Sequence, residues 1–233
     1  MVAAENENGI SNLLEAYENE VNAHAQYKAF ATKAEAEGMY GAASLFRAAA
    51  RAEQIHASNH ARVIRHMGGG IEAEIRPFRV RSTMENLKAA LGGEQQEIES
   101  LYPSILVHAA SQLDTAGMRS IHWAIESEKT HARLYEDALA TMETGPGWTK
   151  DQLDFYVCTL CGYTAKTQEA DNCPACNFVW DRFEVISLNF CGGQNCEHAI
   201  YCGHKFHVIR VTKSFPFASK PQEDFVHSWS RTG

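Results

Sequence analysis

Two copies of a Glu-x-x-His pattern are the first feature of this sequence that could carry out chemistry. Glu53 and His56 form one copy, and Glu128 and His131 form the other. On a helix this spacing places the carboxylate and the imidazole one turn apart on the same side. A further Glu precedes each copy by almost the same number of residues, so the sequence has the form of a duplicated helical hairpin.

The two preceding acidic residues are Glu20 and Glu94. One Glu from each of two helices, with one Glu-x-x-His from each of two others, is the ligand pattern of a di-iron or di-manganese site inside a helix bundle. Glu97 lies one turn after Glu94 and supplies a fifth carboxylate. Five carboxylates in a dry core repel each other and cannot all stay ionised without cations. The alternative is that these side chains are solvated positions on helices whose apolar faces lie elsewhere.

The fifth carboxylate suggests redox cycling. Two divalent irons, or two ferric irons with a bridging oxide, bring the same positive charge, so a cage of five Glu balances charge similarly in both oxidation states. Tyr27 and Tyr102 share the ligand faces of Glu20 and Glu94. The two tyrosines are either ordinary core residues or hydrogen-bond donors to the ligands or to bound peroxide.

A second candidate metal site lies in the cysteines, all seven of which follow residue 157. Four of them form a C-x2-C-x11-C-x2-C pattern that indicates one tetrahedral four-thiolate site: Cys158, Cys161, Cys173 and Cys176. Gly162 and Asn177 follow the second and fourth of these cysteines, and both residue types tolerate the positive φ of a tight turn. The short loop and the aromatic surroundings favour a redox iron shielded from water. A structural zinc ribbon is the alternative.

The elements that position these residues are predicted from helical spacing at about 12–37, 40–67, 82–113 and 118–143. Capping boxes are expected at Asn12-x-x-Glu15 and at Ser82-x-x-Glu85. Glycines near residues 38, 68–70 and 145–147 end the helical patterns, and residues 114–117 are expected to turn the chain. Four helices of roughly 25–30 residues, with one longer connection in the middle, predict a ferritin-like four-helix bundle.

The character of the chain changes near residue 150, where helical spacing gives way to short aromatic and cysteine-bearing segments. We therefore predict an all-α bundle over 1–146, a small rubredoxin-like β module over 153–186 and an extension of unknown role over 187–233. The extension has metal-like composition, but its spacing does not define a particular site: Cys191, Cys196, His198, Cys202, His204 and His207. A non-ligating extension and an additional zinc or iron site both stay open, and Phe206–Val211 could add an edge strand.

Composition excludes several classes of protein. The net charge is −8 without a basic cluster, which argues against nucleic-acid binding. A mean hydropathy of −0.34, with no long apolar run, argues against a membrane span. The acidic start of the chain lacks the layout of a secretory signal. We therefore expect a soluble cytoplasmic protein, and in a reducing cytoplasm clustered thiols indicate metal binding before disulfides.

Taken together, the motifs over about residues 10–186 resemble rubrerythrin, a ferritin-like di-iron domain followed by a rubredoxin-like Fe(Cys)4 domain. The resemblance rests on the following residues and motifs: Glu20, Glu53-x-x-His56, Glu94-x-x-Glu97, Glu128-x-x-His131, Cys-x-x-Cys-Gly-Tyr and Cys-Pro-x-Cys. It implies that Glu53 and Glu128 bridge two irons, that Glu20 and Glu94 are terminal ligands, and that one iron exchanges His56 for Glu97 as it oxidises. Asn177 departs from the Gly usual in rubredoxin-like motifs.

The resemblance further implies a non-haem di-iron peroxidase that reduces hydrogen peroxide in oxidative-stress defence, with Glu97, Tyr27 and Tyr102 as catalytic residues. Electrons would reach the Fe(Cys)4 centre from NAD(P)H through a separate protein, such as a rubredoxin or its reductase, because the chain has no dinucleotide-binding fingerprint. Family members are typically homodimers in which the rubredoxin-like domain of one subunit can approach the di-iron site of the other. A ferritin-like iron oxidase or store, and a zinc-containing structural protein, are the alternatives.

Overall fold

The computed structural model of the chain describes residues 2–109, 115–145 and 147–187. Residues Met1–Phe190 group into one compact unit, and Cys191–Gly233 into another. The second unit falls outside the described residues. So do the thiols and imidazoles of the extension, from Cys191 to His207, and the edge strand expected at Phe206–Val211.

Long helices build the first part of the chain. In order they are α1 (Val2–Ala36), α2 (Tyr40–His66), α3 (Thr83–Gln96), a π-helical segment (Glu97–Leu101), α4 (Tyr102–Ala109), α5 (Thr115–Thr144) and the single turn α6 (Gly147–Lys150). α1 packs along α2, α3 packs along α5, and α2 also contacts α5. This arrangement confirms the ferritin-like bundle. Among the described helices, none combines the length and the apolar character needed to cross a membrane.

The first helix starts much earlier than its predicted beginning at Asn12. It begins at Val2, so the Asn12-x-x-Glu15 pattern lies inside α1 and the predicted cap is wrong. No proline interrupts the preceding residues, and a lone Gly9 is tolerated inside a helix at a cost of about 1 kcal/mol. The predicted stops after α1 and α2 are confirmed, because Gly38 and Gly68 adopt positive φ of 72° and 86°.

The third helix begins as predicted and then departs from the prediction. The Ser82 hydroxyl accepts a hydrogen bond from the Glu85 amide, and the Glu85 carboxylate accepts one from the Ser82 amide, so the capping box is confirmed. The expected continuous α-helix is interrupted from Glu97 to Leu101, where the Tyr102 amide donates to the Glu97 carbonyl in the i to i+5 pattern of a π turn. The expected turn at 114–117 is wrong for its last three residues, which already belong to α5.

The bundle core consists of two apolar clusters that meet at the candidate ligands. One cluster includes the buried apolar residues of α2 up to Ile55, and the other includes those from Ala57 onwards. Glu53 and His56 therefore lie where the clusters join. Tyr27 belongs to the first cluster and Tyr102 to the second, so each half of the core brings one tyrosine to this junction.

The cysteine module follows as one small antiparallel sheet. Its strands are β1 (Phe155–Cys158), β2 (Thr164–Ala165) and β3 (Phe183–Ile186), in the order β2-β1-β3. Phe155 and Val157 on β1 are fully buried and join the first cluster of the bundle core. The module and the bundle are thus packed through a shared apolar core within one chain.

Candidate metal centres

The ligands expected for a di-metal site meet in the interior of the bundle. Their donor atoms form two groups, each with all donor atoms within 4.8 Å of one another: Glu20, Glu53, His56 and Glu128 in the first, and Glu53, Glu94, Glu128 and His131 in the second. All six side chains are at most 1% exposed. Glu53 and Glu128 belong to both groups, so the arrangement suits two adjacent ions that share two carboxylates.

The protein supplies few hydrogen bonds to the atoms that would bind metal. Within the described residues, several of these buried atoms make no hydrogen bond, including Oε2 of Glu20, Oε1 of Glu53, both oxygens of Glu128 and Nδ1 of His131. An uncompensated buried charge costs several kcal/mol, and bound cations remove that cost. Carboxylate oxygens with imidazole nitrogens suit iron or manganese. The residues present therefore fit a pair of such ions.

Each ligand imidazole directs Nδ1 at this carboxylate cluster. Nδ1 of His131 lies close to three carboxylate oxygens, those of Glu128 (2.7 Å), Glu53 (3.3 Å) and Glu94 (3.6 Å). Nδ1 of His56 lies 2.8 Å from Glu128 and 2.9 Å from Glu53. Nδ1 is therefore the ring atom that each imidazole offers to an ion.

Burial and neighbouring negative charges raise the pKa of several carboxylates of the site in the metal-free protein. Burial, with the charges of Glu128 and Glu20, raises the pKa of Glu53 to about 7. Burial, with the charges of Glu128 and Glu53, raises the pKa of Glu94 well above its ordinary value. Burial lowers the pKa of both ligand imidazoles, but the neighbouring carboxylates, Glu128 foremost, outweigh burial and raise it well above 6.5.

Glu97 lies apart from both ligand groups. It is 6% exposed, and its Oε1 accepts a hydrogen bond from Nδ2 of Asn19 at 2.5 Å. Burial, with the charges of Glu20 and Glu128, raises the pKa of Glu97 well above its ordinary value. The structure therefore places the fifth carboxylate beside the site without bringing it into either group.

Tyr27 and Tyr102 each bond a ligand of the site. The Tyr27 hydroxyl donates to Oε1 of Glu94 at 2.7 Å, and the Tyr102 hydroxyl donates to Oε1 of Glu20. Burial, together with the charge of the bonded carboxylate, raises the pKa of both hydroxyls well above 10, so both remain donors. Sequence reasoning placed them correctly on the ligand faces.

Several contacts around the site were not predicted from the sequence. Nε2 of His56 donates to the Cys161 carbonyl at 3.0 Å, and Nε2 of His131 bonds Oγ1 of Thr164 at 3.1 Å. His60, one turn after His56 on α2, is fully buried, with Nδ1 2.8 Å from Oγ of Ser120. No motif signals Thr164, because its role depends on how the module packs on the bundle.

The four-cysteine cluster is formed as its spacing predicts. The four thiols gather in one group without a disulfide, with Sγ atoms 3.6 Å apart for Cys158 and Cys176 and 3.5 Å apart for Cys161 and Cys173. Bonds of 2.3 Å to a tetrahedral metal would place sulfurs about 3.8 Å apart, so the cluster fits one ion. Hydrogen bonds among the four thiols lower the pKa of Cys158 and Cys173 and raise the pKa of Cys161 and Cys176, so the cluster favours thiolates and thiols side by side while it holds no metal.

Two turns with the same geometry hold the thiols. The Gly162 amide donates to the Cys158 carbonyl at 2.9 Å, and the Asn177 amide donates to the Cys173 carbonyl at 2.8 Å. Gly162 has a φ of 86° and Asn177 a φ of 61°, which confirms the positive φ expected at both positions. Asn177 therefore replaces a glycine here without changing the turn.

Metal binding in the bundle is expected to release protons and to weaken as the pH falls below neutrality. An incoming cation must displace protons held by Glu53, whose pKa is about 7, and by Glu94, whose pKa is also raised. Affinity for Mn²⁺ should therefore increase with pH across this range. Calorimetric titration in buffers of different ionisation enthalpy measures the released protons, and an affinity independent of pH would contradict the assignment.

Comparisons with known proteins agree with this geometry. The rubrerythrin family model matches residues 11–139. Rubrerythrin-2 of Clostridium acetobutylicum is 31% identical, over 75% of this chain and 94% of the relative. Nigerythrin of Nitratidesulfovibrio vulgaris is 30% identical, over 75% of this chain and 84% of the relative.

Solved structures give the same result. Nigerythrin in a mixed-valence state superposes with a TM-score of 0.69 at 30% identity, over 76% of this chain and 86% of that chain. A bacterioferritin of Desulfovibrio desulfuricans, with a TM-score of 0.55 at 22% identity, shows the fold alone. Two adjacent ligand groups, a four-thiolate cluster and these matches lead to one conclusion: the chain belongs to the rubrerythrin family of iron-binding oxidoreductases.

Proposed function

We propose that this chain is a non-haem di-iron peroxidase that reduces hydrogen peroxide to water and defends the cell against oxidative stress. Its electrons would enter through the Fe(Cys)4 centre. The observation that carries the proposal is the hydrogen bond of 3.0 Å from Nε2 of His56 to the Cys161 carbonyl. It joins a candidate ligand residue of one centre to a candidate ligand residue of the other, which supports electron delivery from the four-thiolate centre to the pair.

Further contacts support this docking of the module over the di-metal site. Nδ2 of Asn59 donates to the Leu160 carbonyl at 2.9 Å, and the Thr164 amide donates to Oγ1 of Thr130 at 3.3 Å. Gly162 sits so close that a Cβ atom there would lie 2.3 Å from Nε2 of His56. The approach of the module is therefore fixed by polar contacts on both sides of the imidazole and by the absence of a side chain at Gly162.

In this proposal the two ligand groups would hold the iron pair: Glu53 and Glu128, which belong to both groups, would serve both irons, and Glu20 and Glu94 would each serve one. When bound, the iron pair would supply the two electrons that, with two protons, convert hydrogen peroxide to two waters. The hydroxyls of Tyr27 and Tyr102 orient the terminal carboxylates through the hydrogen bonds described above. The nearly complete burial of the ligands excludes bulk water from the site.

Glu97 would bind the pair in one oxidation state and not in the other. It lies beside the cluster, outside both groups, and begins the π-helical segment. We propose that its carboxylate replaces His56 as a ligand when the pair is oxidised. Segments of π helix occur frequently at functional sites, which agrees with such a role.

The alternative functions explain fewer of these contacts. An iron store or iron oxidase has no use for a built-in electron entry, whereas here both ligand imidazoles bond the cysteine module. A structural zinc protein does not account for the shared carboxylates of two adjacent ligand groups.

The proposal also includes partners and a compartment. A separate protein, such as a rubredoxin or its NAD(P)H-linked reductase, would reduce the Fe(Cys)4 centre. We propose a homodimer as the working assembly, although the contact described here joins module and bundle of the same chain. A reducing cytoplasm agrees with the free thiols of the cluster.

Separating electron entry from the peroxide step tests the proposed function. Chemically reduced wild-type protein should be oxidised by hydrogen peroxide within one turnover, faster than by oxygen. Cys161→Ser should keep that turnover and lose reductase-linked turnover, because the substitution removes a thiolate but keeps the carbonyl that faces His56. Stopped-flow absorption measures both reactions. Oxidation that is faster with oxygen than with peroxide would favour the iron-oxidase alternative.

The contact at Gly162 can be tested with a matched pair of variants. Gly162→Ala and Asn177→Ala both place alanine at positive φ, at a cost of about 1 kcal/mol each. Only the Cβ of Gly162→Ala would meet the ring of His56. We expect only Gly162→Ala to slow electron transfer between the centres, measured as the rate at which peroxide reoxidises the Fe(Cys)4 centre. Equal rates in the two variants would count against the route through His56.

Replacing Glu97 with Ala should slow peroxide turnover while leaving most of the iron bound. Glu97 belongs to neither ligand group, so both groups remain complete in the variant. Loss of a residue that supports a metal site typically costs roughly 10- to 100-fold in activity. Exposed Glu99 on the same π segment provides the control Glu99→Ala. Peroxidase kinetics and iron analysis give the two measurements, and unchanged kinetics would remove Glu97 from the mechanism.

A further inference from the structure

An amide outside every ligand pattern holds Glu97 at the edge of the di-metal site. Asn19 immediately precedes Glu20 on α1, and its Nδ2 donates to Oε1 of Glu97 at 2.5 Å. The other carboxylate oxygen of Glu97, Oε2, is buried and makes no hydrogen bond within the described part of the chain. One oxygen is therefore held by Asn19, and the other is available to a metal.

Arg76 determines which end of this amide faces Glu97. Its Nη2 donates to Oδ1 of Asn19 at 3.1 Å. A guanidinium group can only donate, so it takes the amide oxygen and leaves the NH₂ group for the carboxylate. The side chain of Arg76 is exposed, so the chain of contacts runs from the protein surface to the edge of the site.

The connection that carries Arg76 is itself fixed to α1. The Arg76 amide donates to Oδ1 of Asn22 at 2.7 Å, and Nδ2 of Asn22 donates to the Glu74 carbonyl at 2.9 Å. Asn22 lies about one turn after Asn19, so the same helix anchors the connection and presents the amide. The orientation of Asn19 therefore depends on a segment that follows α2 and supplies none of the ligands.

We propose that Asn19 is a positioning residue that holds the Glu97 carboxylate away from the metal pair in the reduced state, with Arg76 orienting its amide. The inference rests on the proposed function, in which Glu97 becomes a ligand on oxidation. Binding of Glu97 must then break a charge-assisted hydrogen bond, which opposes the oxidised state and favours re-reduction. A bond of this kind shifts such an equilibrium about tenfold or more.

Replacing Asn19 with Leu tests this role without turnover. In full-length protein whose bundle site has been emptied, we expect Asn19→Leu to bind Mn²⁺ about tenfold more tightly than wild type, because Glu97 is free to coordinate. Mn²⁺ is suitable since thiolates are not its preferred ligands. In the iron-loaded protein the midpoint potential of the pair should fall, because the oxidised state gains a ligand more easily. Unchanged Mn²⁺ affinity with an unchanged potential would overturn the proposal.

Two further variants keep the test decisive. Asn22→Ala removes the hydrogen bonds that fix the segment of Glu74 and Arg76 to α1, but it keeps the amide of Asn19. A change in Mn²⁺ affinity and potential as large as that of Asn19→Leu would show general loosening and would also overturn the proposal. Arg76→Gln alters an exposed side chain and should shift both measurements in the same direction by less. If Asn19→Leu does not fold, wild-type values in Arg76→Gln would overturn the proposal. Failure of peroxide to oxidise reduced wild type would reject the proposed function, while the Mn²⁺ titration still decides the role of Asn19.

Discussion

Mutual repulsion among buried carboxylates is the constraint on which this structure depends. The bundle core contains five Glu side chains, each at most 6% exposed, together with three buried imidazoles, and among the described residues several of the carboxylate oxygens make no hydrogen bond. Such a core is stable only when protons or cations compensate the charge. Without metal, protons fill this role, as the raised pKa values of Glu53, Glu94 and Glu97 indicate. Cations held by the two ligand groups would compensate the same charge, so we expect folding and metal binding to be coupled.

The second consequence concerns the two ring nitrogens of each ligand imidazole. Nδ1 of His56 and Nδ1 of His131 face the carboxylates, which leaves Nε2 of each ring free for a second partner. Both second partners come from the cysteine module, as the Cys161 carbonyl and the Thr164 hydroxyl. The same two hydrogen bonds therefore set the tautomer of each imidazole and hold the cysteine module against the bundle. A metal ligand whose second nitrogen is hydrogen-bonded is held in orientation, and here the hydrogen bond also leads toward the other metal centre.

The duplicated hairpin provides the ligands symmetrically, but their surroundings differ. Glu20 and Glu94 occupy equivalent positions, and each accepts a hydrogen bond from a tyrosine. Only the second hairpin has the additional Glu97 and the π turn that begins with it. Only the first hairpin brings its imidazole against the thiolate loop through Cys161. The two metal positions are thus inequivalent, which suits chemistry in which one position changes ligands and the other does not.

The sequence by itself determined the residue types and the local geometry of both centres. Glu53 and His56 share a helix face because helical periodicity requires it. Gly162 and Asn177 can adopt the positive φ that their turns require because Gly and Asn tolerate it better than most residues. Local rules failed at Asn12, where a capping pattern lies inside a longer helix, and at Glu97, where a π turn interrupts a helical pattern that gives no sign of it. Only the tertiary structure decided that Asn19 holds Glu97 and that Thr164 bonds His131. Those contacts join residues far apart in the chain, and packing between elements has no periodic signature in a single sequence.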